Sequence, residues 1–173
     1  MYLSFIRPLL EYGDVIWNIS TQYLVDKVEN VQIEAMRIVT GGTKLTSIQK
    51  LYTETGWEKL SDRREKHRLM VLYKIINQQT PEYLRNLVPN SVASVHGHFT
   101  RQSNNISEIR TRSNLYSDYF LPSTIKLWNK LPPDIRNSTS IHIFKNNLKN
   151  QSNKLPPKYY YAGSRQGQIF HSR

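Results

Sequence analysis

Apolar side chains recur along residues 21–40 at alternating spacings of four and three: Leu24, Val28, Val31, Ala35 and Ile38. On a helix they form one stripe, which Val25, Met36 and Val39 widen. Gly41 and Gly42 stop the helix, since glycine accepts the left-handed cap conformation. The stripe is expected to face an intramolecular core, with a coiled-coil seam as the alternative. Before it, residues 2–12 predict a first helix with apolar Leu3, Ile6, Leu9 and Leu10. Pro8 kinks or delays that helix, Gly13 ends it, and Val15–Trp17 add a short apolar patch. After it, residues 47–54 fit a short helix capped by Ser47. Gly56 and Trp57 fit a turn with a buried anchor. A fourth helix is predicted over 61–78, capped by Ser61 or Asp62, with Leu69, Leu72, Ile75 and Ile76 on its apolar face.

The distal half reads differently. Pro81 suits the first turn of a short helix reaching Leu87. Residues 88–113 are rich in Ser, Asn and Thr and predict a long loop or irregular strands, with Arg101, Arg110 and Arg112 along them. From Tyr116, a dense cluster follows: Phe120, Leu121, Ile125, Leu127, Trp128 and Leu131. Trp128 is read as core because of these neighbours. Pro122 fits a helix first turn, and Pro132 and Pro133 end that helix. Ser140 can cap a last helix with Ile141, Phe144 and Leu148 on one face. The fold class predicted is all-α, with a helical bundle over 1–87, a linker over 88–113, a small helical unit over 114–150 and a flexible basic tail over 151–173. No internal repeat of fixed period is visible.

Charge sharpens this picture. The 173 residues carry 24 Lys and Arg against 13 Asp and Glu, a formal net charge of +11. Residues 1–60 hold 6 basic and 7 acidic side chains, whereas residues 61–173 hold 18 basic and 6 acidic. A one-sided positive field attracts polyanions such as nucleic acid. Arg63, Arg64, Lys66, His67 and Arg68 crowd the start of the fourth helix, where cations oppose the helix dipole. Either these charges meet a ligand or their stems cover apolar neighbours.

Several chemistries are excluded. The chain has no Cys, so a disulfide scaffold, a thiol nucleophile and a Cys-containing zinc site are ruled out. No Asp-Asp pair or Asp-x-Asp exists, although two-metal polymerases and nucleases cluster carboxylates. Phosphate-loop, nucleophile-elbow and His-Glu-x-x-His patterns are also missing. His96 and His98 flank Gly97 without a carboxylate partner and read as loop histidines. Neither a metal nor a cofactor is expected. The sequons at Asn18, Asn105, Asn137 and Asn150 read as chance in an Asn-rich and Ser-rich chain without a signal peptide. No window approaches the roughly 18 apolar residues of a membrane span. Arg7 and Pro8 make the first ten residues a poor leader. Nucleus or cytoplasm is the expected location.

An ordered series of phrases carries a family resemblance. Y-L-S-F-I-R-P-L-L-E-Y-G stands at Tyr2–Gly13, V-I-W at Val15–Trp17, V-E-N-V-Q at Val28–Gln32 and L-S-D-R-R at Leu60–Arg64. L-W-N-K-L-P at Leu127–Pro132 and F-K-N-N-L-K at Phe144–Lys149 follow. The series resembles the C-terminal part of reverse transcriptases of non-LTR retrotransposons of the jockey and CR1-like type. The resemblance implies a helical thumb that grips the template–primer duplex. The palm with its paired catalytic aspartates would lie upstream. It implies a fragment that does not itself carry polymerase activity, and a missing palm as the natural partner.

The expected function is sequence-independent contact with the RNA or DNA backbone. Arg63, Arg64, Lys66 and Arg68 would meet phosphates. Arg110, Arg112, Lys145, Lys149 and Lys158 would extend the track, and Tyr159–Tyr161 can stack on unpaired bases. No membrane or small-molecule substrate is expected. The alternatives are a helical protein-interaction module, using the 24–38 stripe as partner groove or dimer seam, and a retroelement remnant without function.

Overall fold

Pro8 and Gly13 shape the N-terminus. Tyr2–Ile6 forms a π-helical turn that runs into α1 (Arg7–Glu11), with Pro8 near the start of α1. Gly13 takes φ +64° and lets the chain re-enter a helical turn, α2 (Asp14–Trp17). The expected apolar patch at 15–17 is therefore part of a helix. These features come from a computed structural model that describes residues 1–17, 22–96 and 104–154. The tail from 155 onward, with Lys158 and Tyr159–Tyr161, lies outside the described residues, as do Asn18, Gly97, His98 and Arg101.

The remaining elements are α3 (Gln22–Thr40), α4 (Ile48–Thr55), α5 (Leu60–Ile76), α6 (Glu82–Asn86), α7 (Val92–His96), α8 (Asn114–Ser117), α9 (Phe120–Asn129), α10 (Pro133–Arg136) and α11 (Ile141–Lys154). The fold is all-α. Among the described residues, the one β feature is an isolated bridge between Ser91 and Ile106. Several predicted caps form. The Ser47 side chain accepts from the Lys50 N–H at 3.3 Å, and that of Ser140 from the Ile143 N–H at 3.3 Å. Gly41 ends α3 at φ +67°, and the Gly42 N–H returns to the Arg37 carbonyl at 2.9 Å.

Two apolar cores lie along α5. The smaller joins Ile33 and Met36 of α3 to Leu51 of α4, with Tyr52 and Trp57 against them. The larger joins Leu69, Leu72 and Tyr73 of α5 to Ile125 and Trp128 of α9 and Phe144 of α11. There Tyr73 stacks on Phe144 with centroids 4.5 Å apart. Trp128 sits 5.7 Å from Phe144, buried as the sequence predicts. The expected division at residue 87 is not how the cores divide. α5 is one continuous helix, and its second half belongs to the same core as α9 and α11.

The orientation of α3 also corrects the sequence reading. Its inward face carries Gln32, Ile33 and Met36, all buried. The predicted core stripe is rotated outward: Ile38 is 82% exposed, Leu24 46% and Val31 44%, Val25, Val28 and Ala35 are half-buried, and Met36, which widened the stripe, reaches the core. The reason is a polar network that holds the opposite face. Gln32 accepts from the Tyr2 hydroxyl at 3.0 Å and donates to the Glu58 carbonyl at 3.0 Å. Tyr2 stacks on Trp57 with centroids 4.6 Å apart. Glu29 accepts from the Tyr52 hydroxyl and, at 3.2 Å, from the Leu60 N–H. Glu29 thus caps α5 from a neighbouring helix, placing a carboxylate at its positive end. Neither Ser61 nor Asp62 is the cap; Lys59 occupies that position, with no side-chain cap bond.

The described parts of residues 88–113, expected to be a long loop or irregular strands, hold a short helix, α7, and the isolated Ser91–Ile106 bridge. Ile106 is buried in the larger core. Backbone bonds from Val92 N–H to Asn105 O (2.8 Å) and from Ser107 N–H to Asn90 O (3.0 Å) tie the two described ends of this stretch together.

Candidate nucleic-acid interface

The four cations expected at phosphates on α5 are turned into the fold. Arg63 grips Glu11 of α1 with both Nε and Nη2, the latter at 3.0 Å. Lys66 pairs with Glu58. Arg64 is 1% exposed and lies over the Trp17 ring at 5.2 Å. Arg68 donates from Nη1 to Ser123 Oγ of α9 at 3.0 Å. His67 Nδ1 adds a contact with Asp14 Oδ2 at 2.8 Å. The basic start of α5 is thus a docking strip for α1, α2 and α9. Glu11, Asp14, Glu29 and Glu58 offset the cations that oppose the helix dipole. Arg63 and Lys66 meet carboxylates, whereas Arg64 covers the Trp17 ring.

The electrostatics agree. Burial pushes the Glu11 carboxyl up, but the hydrogen bond and charge of Arg63 outweigh it and hold the group below its ordinary value. The same hydrogen bond, against burial, raises Arg63. Burial lowers Arg64 and Arg68, only partly countered by acids nearby. A phosphate reaching these groups would have to displace carboxylates and part of the core.

The other predicted cations stand outward. Arg110 and Arg112 are exposed on the segment leading into α8. Lys145 and Lys149 are exposed one turn apart on α11, each about 100° round the helix from the buried residue it follows, Phe144 or Leu148. The periodicity that buries Phe144 and Leu148 on one face turns the lysines off it. None of the four forms an ion pair with another described residue.

The structure adds cations that the sequence reading did not single out. Lys126 and Lys130 are exposed and unpaired among the described residues, at the spacing that complements buried Ile125 and Trp128 on α9. That complementary spacing is the signal that finds them. Arg85 and Arg136 line a cavity of about 440 Å³ walled by Val88, Ile106 and Trp128, and no carboxylate is among its lining residues. Arg136 Nη1 is spent on Asn105 Oδ1 at 2.9 Å and on the Asn104 carbonyl at 3.3 Å. No sequence spacing links Arg85 to Arg136; only the fold, which brings both to one cavity, does.

Among the described residues there is no group of three or more His, Asp or Glu side chains that could hold a metal ion. No described helix is long and apolar enough to cross a membrane. No family model matches the chain, and neither does any curated protein or solved structure.

Proposed function

We propose that this chain is the distal, non-catalytic helical part of a non-LTR retrotransposon reverse transcriptase, and that it contacts the template–primer backbone without reading sequence. The single observation that carries the reading is the set of outward cations on the distal half that form no ion pair with another described residue: Arg110, Arg112, Lys126, Lys130, Lys145 and Lys149. Between residues 104 and 154 the sequence has eight Lys and Arg against three acids. A surface of this kind suits phosphate oxygens and sliding contact rather than base readout. The α5 cations drop out of the contact set, because they are committed to Glu11, Glu58, Trp17 and Ser123. The apolar exposure of Phe5, Leu9, Tyr12 and Ile16 at the N-terminus supports the place that the resemblance gives to an upstream palm, as a face with a lost neighbour.

The test is binding of the full chain to a fluorescent hairpin primer–template across a salt series. Six neutralised phosphates on duplex DNA give a log K against log salt slope of about −5. Scrambling the sequence of the hairpin should leave affinity unchanged. Affinity independent of salt, or no binding at low salt, would sink the reading.

A further inference from the structure

The outward face of α3 is apolar and regular, with Leu24, Val31 and Ile38 exposed and Val28 and Ala35 half-buried along its inner edge. At about 100° per residue, Leu24, Val28, Val31, Ala35 and Ile38 fall within an arc of about 80°. Ile33 and Met36, which meet the core, lie on the far side. The spacing is that of the a and d positions of a coiled-coil heptad, with Leu24, Val31 and Ile38 at d and Val28 and Ala35 at a. On the flank turned farthest from the body, the g positions are Lys27 and Glu34, both exposed. Two heptads alone would be a marginal helix in water. Here the helix is already held by packing on α4 and α5, so a partner meets a preformed ridge and the ordering cost is small.

We infer that a second copy of this chain covers this ridge, packed antiparallel about a twofold axis. Charge complementarity selects this partner and its orientation. In an antiparallel pair, g positions face g positions. The register that sets Val28 against the second copy's Val31 and Leu24 against its Ala35 also sets Lys27 against its Glu34. Twofold symmetry repeats each of these contacts, as an isologous interface requires. Large Leu24 meets small Ala35, so the layers interlock. A parallel pair would set Lys27 opposite the inward-facing Gln32 and would gain no ion pair. The existing partners of the flank charges do not compete strongly. Glu34, itself exposed, holds the largely buried Arg37 at 2.5 Å, and Lys27 sits over the exposed Tyr23 ring at 4.6 Å. The Lys27–Tyr23 contact contributes little, and a carboxylate that already holds one cation has lone pairs for a second.

The full chain is tested by sedimentation equilibrium from micromolar to submillimolar concentration. A monomer–dimer equilibrium is expected. Val31→Asp, at a site already open to solvent, should weaken it by about tenfold or more while leaving the thermal midpoint of the monomer unchanged. Lys27→Glu should weaken it, and Lys27→Glu with Glu34→Lys should restore it. The chain has no Cys, so orientation can be read by cross-linking. Mixed Leu24→Cys and Ala35→Cys chains should form a disulfide under mild oxidation, and neither alone should. A monomer at every concentration would overturn the inference and leave the ridge to another occupant. A dimer insensitive to Val31→Asp, or Leu24→Cys chains bridging to themselves, would overturn it too. None of these outcomes depends on nucleic-acid binding.

Discussion

Asn129 holds the backbone of Ile106 with both ends of its amide. Its Oδ1 accepts from the Ile106 N–H at 3.0 Å and its Nδ2 donates to the Ile106 carbonyl at 2.9 Å. The side chain thus does for Ile106 what a neighbouring strand would do. It lets an extended segment enter a helical core without orphaned polar groups. Asn129→Ala should cost about 1–3 kcal/mol, read as a lower urea midpoint. Asn129→Asp keeps the acceptor but loses the donor, and should fall between. If Asn129→Ala unfolds at the wild-type midpoint, the clamp contributes nothing.

The Glu11–Arg63 pair makes the N-terminal helices acid-sensitive. Arg63 holds the Glu11 carboxyl below its ordinary value, so the unfolded chain takes up this proton more readily than the folded one. The contribution is complete above the unfolded value near ~4.3 and is lost as pH falls through the lower folded value. Glu11→Gln should remove about 1.5–3 kcal/mol at neutral pH and flatten the fall in stability on acidification. Denaturant midpoints measured between neutral pH and pH ~3, below that unfolded value, decide this. Parallel curves for the two proteins would show that Glu11 is not the titrating group.

Tyr2 predicts the opposite slope at high pH. Burial, against the charge of Arg7, pushes its phenol up to about 12. Tyr52 is raised as well, by burial and by its hydrogen bond to Glu29. Both groups keep their protons longer in the folded state, so stability is complete below the unfolded value near ~10 and declines as pH rises above it. Tyr2→Phe should reduce this alkaline loss, and Tyr2→Phe with Tyr52→Phe should reduce it further. At neutral pH, Tyr2→Phe should cost about 1 kcal/mol, since Gln32 loses a donor. Unchanged alkaline unfolding in the double variant would refute the assignment.

These polar contacts explain what could and could not be read from the chain. Helix positions were legible because caps and stops are local: Ser47, Gly41, Gly56 and Ser140 act within four residues of their own position. The inward face of α3 was not. Hydropathy marks the stripe through Val31 as the buried side, yet Gln32 and Glu29 are held inward by Tyr2, Tyr52, Glu58 and the Leu60 N–H, all more than twenty residues away or on another element. The same distance hid the partners of the α5 cations. Glu11 is 52 residues from Arg63, and Asp14 is 53 from His67. The acidic balance of residues 1–60 was the one local trace that those cations had partners within the chain. Trp128 was placed correctly in the core because α9 presents one clear apolar face.

Substitutions at outward and inward cations should separate binding from folding. Lys145→Ala with Lys149→Ala removes two exposed charges on α11 that have no ion-pair partner among the described residues. If each neutralises one phosphate, the salt slope should become shallower by about 2, with the thermal midpoint within about 2 °C of wild type, since exposed sites cost little. Arg63→Gln should behave in reverse. It breaks the grip on Glu11 and lowers the unfolding midpoint, but leaves the slope of the remaining folded protein unchanged. Hairpin anisotropy across salt, paired with thermal unfolding of the same preparations, reads both quantities. A slope that responds to Arg63→Gln and ignores the lysine pair would return the nucleic-acid contact to α5, and with it the need for α1 and α2 to swing away from that helix on binding.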